Sequence, residues 1–213
     1  KDFLEKWKRK VQEVIDKYRP DLTWFDFMLG GIQEEYRKEL LAYYFNKAIE
    51  WGTEVEVTFK GHDLPPGVGI VDLELGRMSE LTYHKWITDT DIAVGGAWSY
   101  IHGIEYKSVT MLVHNLVDNV SKNGYLLLNV GPKANGEIPE PARERLLGIG
   151  KWLDINGEAI YGTTPWITHG EGPTTMEKGG PFSEKQEVHY TSKDIRFTVK
   201  DDALYAICLG WPG

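Results

Sequence analysis

The chain has 213 residues, 41% of them hydrophobic and 26% charged, a globular composition with length for a sizeable core. A net charge of −8 with no long basic run excludes nucleic acid as a natural partner, and no stretch approaches the apolar length of a membrane span. Cys208 is the single cysteine, which excludes an internal disulfide framework and a cysteine zinc cluster.

Helical spacing of Phe3, Leu4, Trp7, Val11, Val14 and Ile15 predicts a helix over about residues 2–18, stopped by Pro20. The opening Lys1–Trp7 reads as the start or middle of that amphipathic helix and not as a signal peptide. The run Asp21-Leu22-Thr23-Trp24-Phe25 reads as a strand, and Asp26 closes it just before the loop Phe27-Met28-Leu29-Gly30-Gly31. A carboxylate at the C-terminal tip of a strand, followed by glycines, sits where α/β folds place their chemistry. The competing reading of Asp26 is a helix N-cap or loop aspartate. Gly30-Gly31 lacks the spacing of a dinucleotide fingerprint.

Residues 33–51 read as a helix with Leu40, Leu41, Tyr44, Phe45 and Ala48 on its apolar face, ended by Gly52. Residues 54–59 alternate as a strand, with Lys60 at its end: either a contact for substrate hydroxyls or a solvated lysine. A loop holding Gly61, Pro65, Pro66 and Gly67 leads to a strand over 69–73. Residues 85–88 form a further candidate strand and Gly95-Gly96 a turn. Ser108 is placed to cap a helix carrying Met111, Leu112, Leu116, Val117 and Val120, which Lys122-Asn123-Gly124 terminates. The glycosylation sequon Asn119-Val120-Ser121 falls inside that helix and is discounted. Residues 125–130 are almost wholly apolar, as for a strand buried on both faces. Pro139 begins a helix holding Ala142, Leu146, Leu147, Ile149 and Trp152, ended by Asn156-Gly157.

Residues 1–160 thus alternate helix and strand, the signature of a parallel α/β sheet, with four or five strands. Beyond Pro165 the pattern changes. Gly170, Gly172, Pro173, Gly179, Gly180 and Pro181 read as a linker, and strands over 186–190, 194–200 and 203–209, with Asp201-Asp202 as a hairpin turn, read as an antiparallel module. The eight tryptophans and eleven tyrosines suit stacking on sugar rings and equally suit core filling. His62, His84, His102, His114, His169 and His189 show no metal-ligand spacing, so no metal is expected.

The run Asp118-Asn119-Val120-Ser121-Lys122-Asn123-Gly124-Tyr125-Leu126-Leu127-Leu128-Asn129-Val130-Gly131-Pro132, then Asn135-Gly136-Glu137-Ile138-Pro139, Gly150-Lys151-Trp152-Leu153, Asn156-Gly157-Glu158-Ala159-Ile160-Tyr161-Gly162-Thr163 and Pro165-Trp166, closely resembles the α-L-fucosidases of glycoside hydrolase family 29. The resemblance extends over nearly the whole chain, more weakly after Pro173. It implies a (β/α)8-like (TIM) barrel with a C-terminal β-sandwich. A full barrel takes about 250 residues, so residues 1–166 are expected to be the C-terminal part of the barrel and 167–213 a linker and the start of the sandwich. The N-terminal half of the family's barrel has no counterpart in the sequence, and would be the missing partner segment if the chain is a fragment.

The function implied is that of a retaining exo-α-L-fucosidase, removing terminal α-L-fucose from fucosylated glycans through a covalent glycosyl-enzyme, with no cofactor. A secreted or periplasmic location is implied likewise. By the resemblance, Asp26 in Trp24-Phe25-Asp26 is the nucleophile and Glu74 in Asp72-Leu73-Glu74-Leu75-Gly76-Arg77 the acid/base. Leu75 stands where the family pattern Asp-x-Glu-Arg-Gly often has arginine, and Asp72 and Glu80 remain rivals to Glu74. Trp86-Ile87-Thr88-Asp89-Thr90 and Trp98-Ser99-Tyr100 resemble family sugar-site segments, which makes Trp86, Trp98 and Tyr100, with Trp24 and Lys60, the expected substrate contacts. Trp24 and the aromatics after Gly95-Gly96 also read as core or as a lid on the core. The alternative function is a non-catalytic carbohydrate-binding or structural fragment, since half a barrel exposes strand edges and an uncovered interior face.

Overall fold

The computed structural model describes residues 2–176, 178–185 and 188–211. The chain falls into two compact units, Lys1–Asp72 and Leu73–Gly213.

In the first unit, α1 (Asp2–Tyr18) precedes β1 (Leu22–Trp24), and a short 3₁₀ turn over Leu29–Gly31 leads into α2 (Glu34–Trp51), β2 (Glu56–Lys60) and β3 (Ile70–Asp72). β1 and β2 are parallel with Trp24 opposite Thr58, and β2 and β3 are parallel with Lys60 opposite Asp72. The crossover from β1 to β2 runs through α2. Its Leu40 and Tyr44 pack with Ile15 of α1 and with Val57 and Phe59 of β2 in one core cluster. Gly52 ends α2 at φ 68°, with the Thr53 N–H donating to the Ala48 carbonyl at 3.1 Å, the closing bond of a left-handed C-terminal cap. A Cβ at Gly30 would lie 2.4 Å from Asp63 Oδ1, so a larger residue there would make the Asp63 side chain turn away.

The second unit begins with the segment 73–77 and continues through β4 (Trp86–Asp91), α3 (Val109–Ser121), β5 (Gly124–Asn129) and α4 (Glu140–Asn156). β4 and β5 are parallel in register from Trp86–Gly124 to Asp91–Asn129, joined through α3. Ser108 caps α3 as its sequence position predicts, its hydroxyl accepting from the Met111 N–H at 3.1 Å. An antiparallel sheet of β6 (Thr164–Glu171), β7 (Ile195–Lys200) and β8 (Ala203–Cys208) completes the unit, with an irregular register in β6 between Pro165 and Gly170. Asp201, at φ 51°, makes the predicted turn between β7 and β8. Val113 and Val117 of α3, Ile160 and Leu209 form one core cluster, and Ile92, Leu112 and Ala142 another.

Within this unit Asp118 of α3 is fully buried and faces two cations. Arg196 Nε donates to it at 2.7 Å and Lys122 Nζ at 2.7 Å. Burial pushes the Asp118 carboxyl up, but the two cations more than offset this and hold it below the ordinary carboxylate range. Lys122, sharing that one anion with Arg196, is lowered, by burial first. Asn119, the sequon asparagine, is buried in the last turn of α3.

Three expectations change. The strand read over 125–130 is not buried on both faces, because Tyr125 and Leu127 are 43% and 40% exposed while Leu128 packs on the other side against the α3–α4 core. The stretch from Gly170 is not a plain linker, because β6 runs through Gly170 to Glu171. Of the strand expected over 186–190, Gln186 and Glu187 lie outside the described residues, and 188–190 form no strand. Asp194 occupies that region instead. Its Oδ2 accepts from the Thr191 N–H at 2.6 Å and the Thr174 hydroxyl at 2.8 Å, which commits the backbone before β7 to a loop. Among the described residues no helix is long and apolar enough to cross a membrane.

Candidate active site

In the first unit the three parallel strands end in a row of ionisable side chains. Lys60 of β2 lies opposite Asp72 of β3. Trp24 of β1 lies opposite Thr58, two residues before Lys60, so continuing the register brings Asp26 level with Lys60. Alternation then puts Trp24, Asp26, Lys60 and Asp72 on one face. The distances agree: Lys60 Nζ is 3.6 Å from Asp26 Oδ1 and 3.9 Å from Asp72 Oδ2, and it lies over the rings of Phe27 and Trp24, 4.7 and 5.3 Å from their centroids.

Burial divides this row by role. The Asp26 side chain is 63% exposed, and its Oδ1 accepts from the Phe27 N–H at 2.8 Å, which fixes the carboxylate at the mouth of the strand ends. The Asp72 side chain is wholly buried, and its Oδ2 accepts from the Trp24 indole N–H at 2.6 Å. Lys60 is only 2% exposed, which excludes the solvated strand-end lysine. Trp24 thus has a buried polar edge on Asp72 and a partly open ring, the arrangement of an aromatic that offers one face outward.

Glu74 belongs to the second unit, where the backbone around it is held from both sides. On one side the Leu73 and Leu75 N–H groups donate to the Ile87 and Asp89 carbonyls of β4, each at 2.9 Å. The Thr88 hydroxyl donates to the Leu73 carbonyl at 2.8 Å and accepts from the Gly76 N–H at 3.2 Å. On the other side the Phe182 N–H donates to the Glu74 carbonyl at 2.8 Å and the Glu184 N–H to the Leu75 carbonyl at 2.9 Å. Leu75 is held at φ 45°, a left-handed conformation that costs a leucine about 1–3 kcal/mol and persists only where the surroundings impose it.

Trp98 and Tyr100 lie partly exposed on the loop between β4 and α3. The Trp98 carbonyl accepts from Asn129 Nδ2 at 3.1 Å, and Gly131 packs so closely on the Ser99–Tyr100 backbone that a Cβ there would meet it at 2.6 Å. These contacts fix the loop at the C-terminal end of β5. Trp86, expected as a substrate contact, is buried instead. It is 1% exposed, with its indole N–H donating to the Lys122 carbonyl at 3.0 Å and its ring against Gly124, so it is core and not a sugar contact. Thr88 and Thr90 of the same segment are also buried.

The structure therefore brings together Trp24, Asp26, Lys60 and Asp72 in one unit, and supports Glu74 and the Trp98–Tyr100 loop in the other. What the sequence reading missed is the support of Glu74 by Thr88 and by residues 180–184. That stretch, rich in glycine and proline, carried no signal of a contact with residues more than a hundred positions earlier.

The sequence profile of the family described as Alpha-L-fucosidase matches residues 1–158. Human tissue alpha-L-fucosidase is 40% identical over 216 residues, covering 95% of this chain and 41% of the human protein. The bovine tissue enzyme is 31% identical over 216 residues, covering 95% of this chain and 40% of its own. The crystal structure of Thermotoga maritima alpha-fucosidase in complex with fucose is similar with a TM-score of 0.76 at 34% identity, over 99% of this chain and 43% of that one. The chain thus spans about two fifths of the length of these relatives. Its fold class is α/β, part of a (β/α)8-like barrel followed by part of an antiparallel β-sandwich. On the family profile, these identities and the shared fold, the chain belongs to the α-L-fucosidase family of glycoside hydrolases.

Proposed function

We propose that the protein carrying this chain is a retaining exo-α-L-fucosidase acting on terminal α-L-fucose of glycans. The observation that carries the reading is the exposed Asp26 carboxylate beside buried Lys60 at the strand ends of a chain in this family. The Thermotoga maritima relatives, described in complex with fucose and with a mechanism-based inhibitor, support the substrate. In the first step an Asp26 oxygen attacks the anomeric carbon, the bond to the leaving oxygen breaks, and protonated Glu74 gives its proton to that oxygen. In the second, water attacks the same carbon, Glu74 takes a proton from it, and Asp26 leaves as a carboxylate. Two inversions give net retention. Lys60 stands beside the Asp26 carboxylate as it attacks and as it departs, and Trp24, Trp98 and Tyr100 offer ring faces to the sugar. Residues 1–163 are taken as the barrel part and the antiparallel sheet from Thr164 as the start of the sandwich.

A second reading, a carbohydrate-binding or structural fragment without turnover, is favoured for the isolated chain by the exposed Tyr125 and Leu127 face and by the two-fifths span. Proton NMR of aryl α-L-fucoside hydrolysis by the full-length protein tests the first reading. The α anomer of fucose is expected first, and first appearance of the β anomer contradicts retention. The same assay on this chain alone is expected to show no turnover.

A further inference from the structure

Glu184 is the least explained ionisable residue of the second unit. It lies in a short 3₁₀ turn, Ser183–Lys185, within the stretch that reads as linker, yet its side chain is only 8% exposed. Both oxygens of its carboxylate are engaged. Oε1 accepts from Lys107 Nζ at 2.7 Å and from Asn115 Nδ2 at 2.8 Å, and Oε2 accepts from the Thr90 hydroxyl. Lys107 is itself held, donating to Thr90 Oγ1 at 2.9 Å and the Asp91 carbonyl at 2.8 Å. These partners come from β4, α3 and the loop between them, so the cluster is a socket built by the rigid part of the unit.

The plug in that socket is attached to the loop that carries Glu74. The Glu184 N–H donates to the Leu75 carbonyl, the Phe182 N–H to the Glu74 carbonyl, and the Gly180 N–H to the Arg77 carbonyl at 2.6 Å. The Arg77 N–H in turn donates to Ser183 Oγ at 2.9 Å. Residues 180–184 form a strap along the outer edge of 74–77, whose inner edge is taken by β4. Leu75, in its left-handed conformation, has its N–H on β4 and its carbonyl on the strap. Glu184 is the only charged side chain among the described strap residues 180–184.

We infer that Glu184 is a positioning residue for the acid/base: seated on Lys107, Asn115 and Thr90, it tightens the strap that fixes the backbone of Glu74. This rests on the reading of Glu74 as acid/base. It predicts a loss that depends on the leaving group, because a fucoside with an activated nitrophenyl group departs without a proton and one with an alkyl or sugar group does not. In the full-length protein, Glu184→Ala is expected to lower kcat/KM on the alkyl or sugar fucoside about tenfold to a hundredfold, part of the ~10²–10⁴ that general acid catalysis supplies, while the activated substrate changes less than about threefold. Glu184→Gln keeps one acceptor oxygen and is expected to fall between, and it carries the test if the alanine variant does not fold. Equal losses on both substrates, or none, overturn the inference. Glu74→Ala separates the two claims. If it shows no leaving-group dependence, the acid/base reading falls and the inference with it. If it shows the dependence and the Glu184 variants do not, only the positioning role is refuted.

Discussion

Lys60 ends β2 buried between two carboxylates, and its energetics explain why both are there. A unit charge pair about 4 Å apart gains roughly 4 kcal/mol at an effective dielectric near 20, while desolvating an ammonium costs several kcal/mol. One carboxylate therefore about breaks even, and Asp26, Asp72 and the two ring faces together hold the cation. The buried member, Asp72, depends on Lys60 and on the Trp24 indole. Lys60→Met is expected to destabilise the protein by about 3–5 kcal/mol, since it strips a cation from a buried carboxylate. Trp24→Phe is expected to cost about 1–3 kcal/mol for the lost indole hydrogen bond. Urea unfolding of both and of the double variant gives the cycle. A coupling of about 0.5–3 kcal/mol is expected, and additivity would mean that the two do not share Asp72. Strand alternation puts Trp24 and Asp26 on one side in the sequence, while Lys60 reads separately as the end of another strand. Their common face follows from the parallel register, but the burial of Lys60 does not, because it needs the side chains of neighbouring strands.

At the scale of elements, the β4–β5 pair shows how a residue type can mislead. Trp86 is a sugar-site aromatic by the family resemblance of its segment, yet it lies opposite Gly124 in the register, where the missing side chain makes room for its indole. A Cβ at Gly124 would sit 2.4 Å from the Trp86 ring and 2.9 Å from the Asn119 carbonyl. Gly124→Ala is thus expected to lower stability by about 1–3 kcal/mol through overpacking, read as a lower thermal midpoint, and an unchanged midpoint would refute the tight contact. The helices and four of the first five strands were legible because their apolar pattern is local: residues 2–18 and 33–51 were read within a residue or two of α1 and α2, whereas β4 was read only over 85–88 because Asp89-Thr90-Asp91 carry no apolar signal. Strand β6 was not, because Thr164-Pro165 and Gly170 read as breakers while the ladder with β7 that makes it a strand lies thirty residues on. The outward face of β5 was misread for a related reason, since Tyr125 and Leu127 are apolar whether or not anything covers them.

For the whole molecule, the run Asp118 to Trp166 sufficed to place the chain in its family, and residues 1–158 match the family profile. The return of residues 180–184 to the Glu74 loop was invisible in one sequence, because a long-range backbone contact leaves no periodicity to read. The proposed chemistry turns on Asp26 as nucleophile, a role that the full-length Asp26→Gly variant tests. It is expected to lose turnover of an aryl α-L-fucoside and to regain part of it with added azide, yielding β-fucosyl azide as the small anion takes the place of the missing carboxylate. Turnover by Asp26→Gly at the unmodified rate, without azide, would contradict it.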